Sequence, residues 1–257
     1  MAKWSAFPYD GGDYAYNAAA LKKHWPRLHA GDAEPLPKDD KLLAAWALFH
    51  GGAFDKAFDA GIKLGGGGIT LANKAQAIYA NYLEENEKGK LAMFLEVAAR
   101  AEAQQAAEPK NANAFYWQAY ALGRYGQGIS VAKALAQGLG SKVKNALEAT
   151  IALAPKHADA HIALGSFHAE VIDKVGKLLG RTQGADAATG LTMYRQALKL
   201  NPTSAIAMIE YANGLVMLEG DKKMKEAEKL YADAAASTPM DAMERLDVEM
   251  AKEELED

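Results

Sequence analysis

Apolar positions along the chain fall into short helical stripes separated by turns rich in proline or glycine. The clearest stretch is residues 145–167. Ala146, Ala149, Ile151 and Leu153 close one amphipathic helix. Pro155 has no backbone donor and biases Ala154 away from helical dihedrals. Near the start of the next helix it is tolerated, because the donors there are unpaired in any case. Ala160, Ala163 and Leu164 then restart a stripe at offsets of three and four. Gly165 carries no side chain, which predicts a close crossing by a neighbouring helix backbone.

This block recurs. Tyr194, Ala197, Leu198 and Pro202 repeat it ahead of Ile206, Ile209, Ala212 and Leu215. Tyr231, Ala234 and Pro239 repeat it ahead of Met243, Leu246 and Met250. A weaker copy runs through Ala106, Ala107 and Pro109 to Phe115, Ala119 and Leu122. Self-similarity of this kind predicts stacked helix pairs. Pro202 and Pro239 are 37 residues apart, whereas Pro109–Pro155 and Pro155–Pro202 span 46 and 47. Against a usual repeat of about 34, the two middle units are lengthened by roughly a dozen residues each.

Earlier in the chain, Asp13 is a predicted N-cap, followed by Tyr14, Ala18, Leu21 and Trp25 on one face. Pro26, Gly31, Pro35 and Pro37 break the chain and mark a linker. Residues 38–49 read as a helix, and Phe54, Ala57, Phe58 and Leu64 as its return. Residues 65–68 are four glycines. They follow a helix and lack the G-K-[ST] of a phosphate loop, so they predict a helix joint. Residues 126–153 predict one long helix, or two broken at Gly138 and Gly140. Residues 241–257 predict an acidic amphipathic helix that covers the last apolar face. The division expected is an aromatic arm and first helix over residues 1–37 and a helical solenoid over 38–257, as one continuous domain.

The alanine, aromatic and proline positions resemble tetratricopeptide repeats (TPRs), over about the last 150 residues most clearly. The order of Tyr116-Trp117, then A-L-x-x-x-I-x-L-x-P from Ala146 to Pro155, then K-x-x-G-R from Lys177 to Arg181, is similar to the TPR-like region of the regulator of microtubule dynamics family. It is also similar to TPR subunits associated with bacterial substrate-binding transporters. The resemblance implies an all-α, right-handed superhelix of helical hairpins with two lengthened middle repeats and a C-terminal capping helix. It also implies a working concave face, and for the nearer families a link with lipid or hydrophobic-ligand handling.

Composition narrows the function. The chain has no cysteine, which excludes disulfides, zinc–thiolate sites and cysteine nucleophiles. A net charge of -4 and a pI of about 5.9 give no sign of a general nucleic-acid binder. No stretch approaches the ~20 apolar residues of a membrane span, and nothing at the start reads as a signal peptide. The expected setting is cytoplasmic. No cofactor motif and no G-x-S-x-G or comparable catalytic set is present.

The most aromatic segment is residues 113–125. Phe115 and Leu122 read as core. Tyr116, Trp117, Tyr120 and Arg124 are the leading candidates for a concave binding surface, because they combine apolar area with polar handles; packing between repeats is the competing reading. Lys174, Lys177 and Arg181 form a basic row that is either a solvated face or a site for a carboxylate, phosphate or acidic headgroup. His157, His161 and His168 are weak metal candidates on one helical face, without an H-E-x-x-H motif. Two functions follow. One is a non-enzymatic scaffold holding a protein or peptide partner in its groove. The alternative is a carrier of a small hydrophobic or amphipathic ligand, such as a lipid, in a pocket formed by the lengthened repeats.

Overall fold

The computed structural model describes residues 4–256. Every regular element among them is helical: α1 (Ala18–Leu28), α2 (Asp40–His50), α3 (Phe54–Leu64), α4 (Gly68–Tyr82), α5 (Glu87–Ala107), α6 (Ala112–Ile129), α7 (Val131–Ala136), α8 (Leu139–Leu153), α9 (Ala158–Thr182), α10 (Ala187–Leu200), α11 (Ala205–Glu219), α12 (Met224–Ala235) and α13 (Ala242–Glu256). Successive helices pair as hairpins.

The repeat is set by one local rule. Each of Pro109, Pro155, Pro202 and Pro239 stands two residues before an N-cap side chain, and the next residue is the alanine that begins the helix. The caps are Asn111, His157 and Ser204, which accept from the amides of Ala114, Ala160 and Ala207. Asp241 does the same for Glu244 at 2.8 Å. A polar cap satisfies a helix-start donor that would otherwise be orphaned. Four different side chains therefore fill one structural role.

Several local expectations change. Helix α1 begins at Ala18 with Asn17 as its cap, later than the expected start at Asp13, whose side chain lies outside the described ones; Tyr14 lies in a preceding 3-10 turn. Pro26 sits inside α1, in its last turn, rather than ending it. There it forfeits only one backbone bond of the helix. Residues 126–153 break twice, at Ser130 and around Gly138, which leaves the short helix α7 between α6 and α8. The second lengthening appears as α9, 25 residues long, bent at Gly176 by a φ of 79°. Lys177–Arg181 lies within this helix.

Gly165 does admit a close neighbour: a Cβ on Gly190 of α10 would stand 3.5 Å from its carbonyl oxygen, and a side chain comes closer still. The ring of Tyr194, on α10, fills the space beside Gly165 of α9 and Gly214 of α11. Backbone meets backbone elsewhere too: a Cβ on Gly61 would stand 2.5 Å from the carbonyl oxygen of Gly68, which brings α3 and α4 together. Gly65 and Gly66 take positive φ to make that turn.

The two ends of the chain meet. Helix α13 packs on α12 and also reaches α2. The Tyr16 hydroxyl donates to the Met240 carbonyl at 2.7 Å. Arg27 holds Glu244 through both guanidinium nitrogens at 2.5 and 3.2 Å. His50 Nδ1 lies 2.7 Å from an Asp241 carboxylate oxygen. Upstream of α1, Trp4 stacks on Tyr79 and Phe7 meets Phe54 edge-on, so the aromatic segment packs over α3 and α4. The connection between α1 and α2 dips inward, where the Asp159 amide donates to the Gly31 carbonyl at 3.0 Å. The inner wall of the repeat is thereby covered by the chain itself.

Candidate ligand cavity

Covering the inner wall leaves a cavity of about 140 Å³. Its apolar side comes from the lengthened middle of the chain. Val131 and Leu135 of α7, Leu139 and Val143 of α8, and Ile162 and Phe167 of α9 all contribute. The insertion thus supplies a wall rather than a longer groove. Tyr82 of α4, Glu210 of α11 and Met243 and Asp247 of α13 complete the lining.

Tyr116, Trp117, Tyr120 and Arg124 all line this space. Trp117 is only 2% exposed. Its ring stands edge-on to Tyr116 at 4.9 Å and to Tyr120 at 5.3 Å. Its indole N–H has no hydrogen-bond partner among the described residues. Arg124 lies over the Tyr120 ring at 5.4 Å and donates to Glu210 and Gln127, each at 3.1 Å. Burial pushes the hydroxyls of Tyr116 and Tyr120 above their ordinary range, so both stay protonated.

Acids the sequence did not mark stand beside them. The Tyr82 hydroxyl donates to Asp247, whose carboxyl burial raises well above the usual carboxylate range. Gln127 donates to Glu170 at 2.5 Å. Burial, and then the neighbouring Glu210, raise the Glu170 carboxyl to about 7. Asp159 is raised to about 7 by burial and by Asp32. Tyr82 and Asp247 are 165 residues apart, so no helical periodicity could have joined them. Asp159 reads in sequence as an ordinary first-turn acid.

A buried polar chain adjoins the cavity. Lys74 donates to Asp32 at 2.6 Å, and Asp32 faces His29 Nδ1 at 2.8 Å. His29 and His50 approach through their Nε2 atoms at 3.3 Å. Burial works to raise the Asp32 carboxyl, but Lys74 and His29 together outweigh it and hold it low. Burial lowers His29 to about 4. Lys74 is thereby committed to Asp32.

The histidine row is structural in its contacts. His157 Nδ1 caps α9, and its Nε2 meets Asn113 at 2.9 Å. His161 Nδ1 bonds the His157 carbonyl at 2.9 Å, and His168 Nδ1 accepts the Asp186 amide at 3.1 Å. A nitrogen that already accepts a backbone N–H has no lone pair for a metal. Among the described residues no group of three or more His, Asp or Glu is placed to hold an ion. Lys174, Lys177 and Arg181 are exposed on the far part of α9 and are not brought to the cavity. Lys174 pairs there with Asp173 at 2.9 Å.

No protein-family model matches the chain, and no curated protein matches it. Among solved structures it is similar to a thermophilic TPR protein of Thermus thermophilus. The TM-score is 0.58 and the identity 17%, over 83% of this chain and 97% of that one. The fold is TPR-like. Its all-α helical-repeat architecture matches the sequence expectation. Among the described residues no helix is long and apolar enough to cross a membrane.

Proposed function

We propose that this chain is a non-enzymatic carrier or receptor for a small amphipathic molecule held in its internal cavity. One observation carries the reading. The aromatic–arginine face of α6 looks into a partly open space walled by the lengthened repeats and lined by both apolar and polar side chains. Small-molecule sites commonly have this mix of apolar lining and a few placed polar groups. Size restricts the occupant. An apolar protein cavity of about 150 Å³ holds benzene, so about 140 Å³ suits one ring or a short chain rather than a whole lipid tail. The resemblance to transporter-associated TPR subunits supports ligand handling in the same direction. Three acids of the lining, Glu210, Glu170 and Asp247, serve Arg124, Gln127 and Tyr82, and no cofactor is assigned to it.

The test is a thermal-shift screen of small amphipathic molecules against the wild type and Ala163→Phe, which places a ring in the cavity. Stabilising compounds that lose their effect in the variant support the reading. Equal shifts in both proteins overturn it.

A second reading, a scaffold for a protein or peptide partner, draws on the outer surface. Leu178 and Leu179 are 80% and 58% exposed beside Lys177 and Arg181 at the end of α9. Apolar anchors rimmed by charge are a usual form of docking surface. A partner that copurifies with the wild type but not with Leu178→Ser/Leu179→Ser would favour it.

A further inference from the structure

We infer that the molecule taken by the cavity is an organic cation, an ammonium carried on a small apolar body, with Asp159 as its countercharge. The inference rests on the carrier reading and specifies its ligand class.

Two cationic side chains line the cavity, against four carboxyl groups. Neither cation is available to an anion. The Lys74 ammonium is held by Asp32 at 2.6 Å, and Arg124 by Glu210 at 3.1 Å. Three of the carboxyl groups are also engaged: Glu210 by Arg124, Glu170 by Gln127, and Asp247 by Tyr82. Asp159 differs. Its carboxylate accepts no hydrogen bond and forms no ion pair among the described residues, although it lines both the main cavity and the smaller cleft beside it.

Asp159 is half-buried, and a carboxylate partly withdrawn from water without a partner is costly. An incoming ammonium removes that cost and brings its own donors. Geometry holds the acid in place. Its backbone amide is tied to Gly31, and its carboxylate packs into the space that Gly31, with no side chain, leaves open: a Cβ there would stand 2.4 Å from a carboxylate oxygen. Tyr116 and Trp117 add aromatic surface in the same lining, and aromatic rings attract organic cations. The apolar wall of α7 and α8 receives the rest of the molecule.

The experiment is isothermal calorimetry on the full chain with three probes of similar shape: phenethylammonium, 3-phenylpropionate and propylbenzene. Saturable binding of phenethylammonium alone, weakened about 30-fold or more by Asp159→Asn, is the expected result. Equal binding of the three probes leaves the carrier reading standing and overturns the cation. Preference for 3-phenylpropionate does the same. Binding of none of them counts against the carrier reading itself. The three-probe comparison needs only the wild type, so it decides the matter even if Asp159→Asn fails to fold. Asp173→Asn, an acid outside the cavity, should bind phenethylammonium as the wild type does.

Discussion

The ring of Tyr194 occupies the space that a side chain at Gly165 would need. A Cβ there would stand 2.9 Å from the ring, and one at Gly214 on the opposite side would stand 2.3 Å from it. Tyr194 is thus clamped between α9 and α11 by two missing side chains. Overpacking a filled core typically costs about 1–3 kcal/mol. Gly165→Ala and Gly214→Ala should each destabilise by about that amount, with Gly214→Ala the worse. Gly123, on α6, has nothing within 4 Å of its would-be Cβ. Gly123→Ala should therefore stabilise by about 0.5–1 kcal/mol. Denaturant midpoints of the three variants check the ordering.

His157 does two jobs with one imidazole. Its Nδ1 caps α9 and its Nε2 serves Asn113. Burial lowers it to about 4, so it is neutral near pH 7, as an accepting Nδ1 requires. His157→Ala should cost about 0.5–2 kcal/mol for the cap, plus about 1–3 for stranding Asn113. His157→Asn should recover the cap and not the second contact. Chemical unfolding of the two variants separates these contributions.

Lys74 and Asp32 are a buried ion pair at 2.6 Å. Removing one partner of such a pair leaves an uncompensated charge, at about 3–5 kcal/mol. Lys74→Met should lose that much, and the double variant Lys74→Met/Asp32→Asn should recover a large part. A double variant as unstable as Lys74→Met would contradict the assignment.

Stability should fall as pH rises from about 6.5 to 8. Burial raises the Glu34 carboxyl to about 8, and Asp159 and Glu170 to about 7. Above the unfolded carboxyl range, near 4, the folded state holds these protons and the unfolded chain does not, so raising pH favours unfolding. His29 and His157, lowered to about 4, act with the opposite sign between about 4 and 6.5. The two sets oppose one another below 6.5, and above it the carboxyls act alone. Melting temperatures across that window test the sign.

Ligand binding should have its own pH dependence. Asp159 is faced by Asp32 from the α1–α2 connection, Lys74 from α4, Tyr116 from α6 and Glu244 and Asp247 from α13. Asp241 lines the cleft beside it. An ammonium stabilises the ionised carboxylate, so phenethylammonium should bind more tightly as pH rises from 6 to 8 and release protons on binding near pH 6.5. Calorimetry in two buffers of different ionisation enthalpy measures that release.

Much of the helical framework was legible because its signals are local. Proline, cap and alanine fall within four residues of one another at each repeat, and they mark helix starts at Ala112, Ala158, Ala205 and Ala242. Pro26 misled because a proline in a last turn loses little. The cavity was half legible. The aromatic and arginine positions of α6 share a helical face that spacing can identify. Asp159 and Asp247 could not be linked to that face, because they reach it only through the closure of α13 and the α1–α2 connection over the inner wall. No periodicity encodes that closure; it is written in single long-range contacts such as His50 with Asp241.

Native mass spectrometry of the chain purified from its own host addresses the internal site most directly. The wild type should retain a small organic molecule that Ala163→Phe does not. A wild type that carries no such mass and takes up none from the host's own small-molecule extract, just as Ala163→Phe does, would contradict a working cavity.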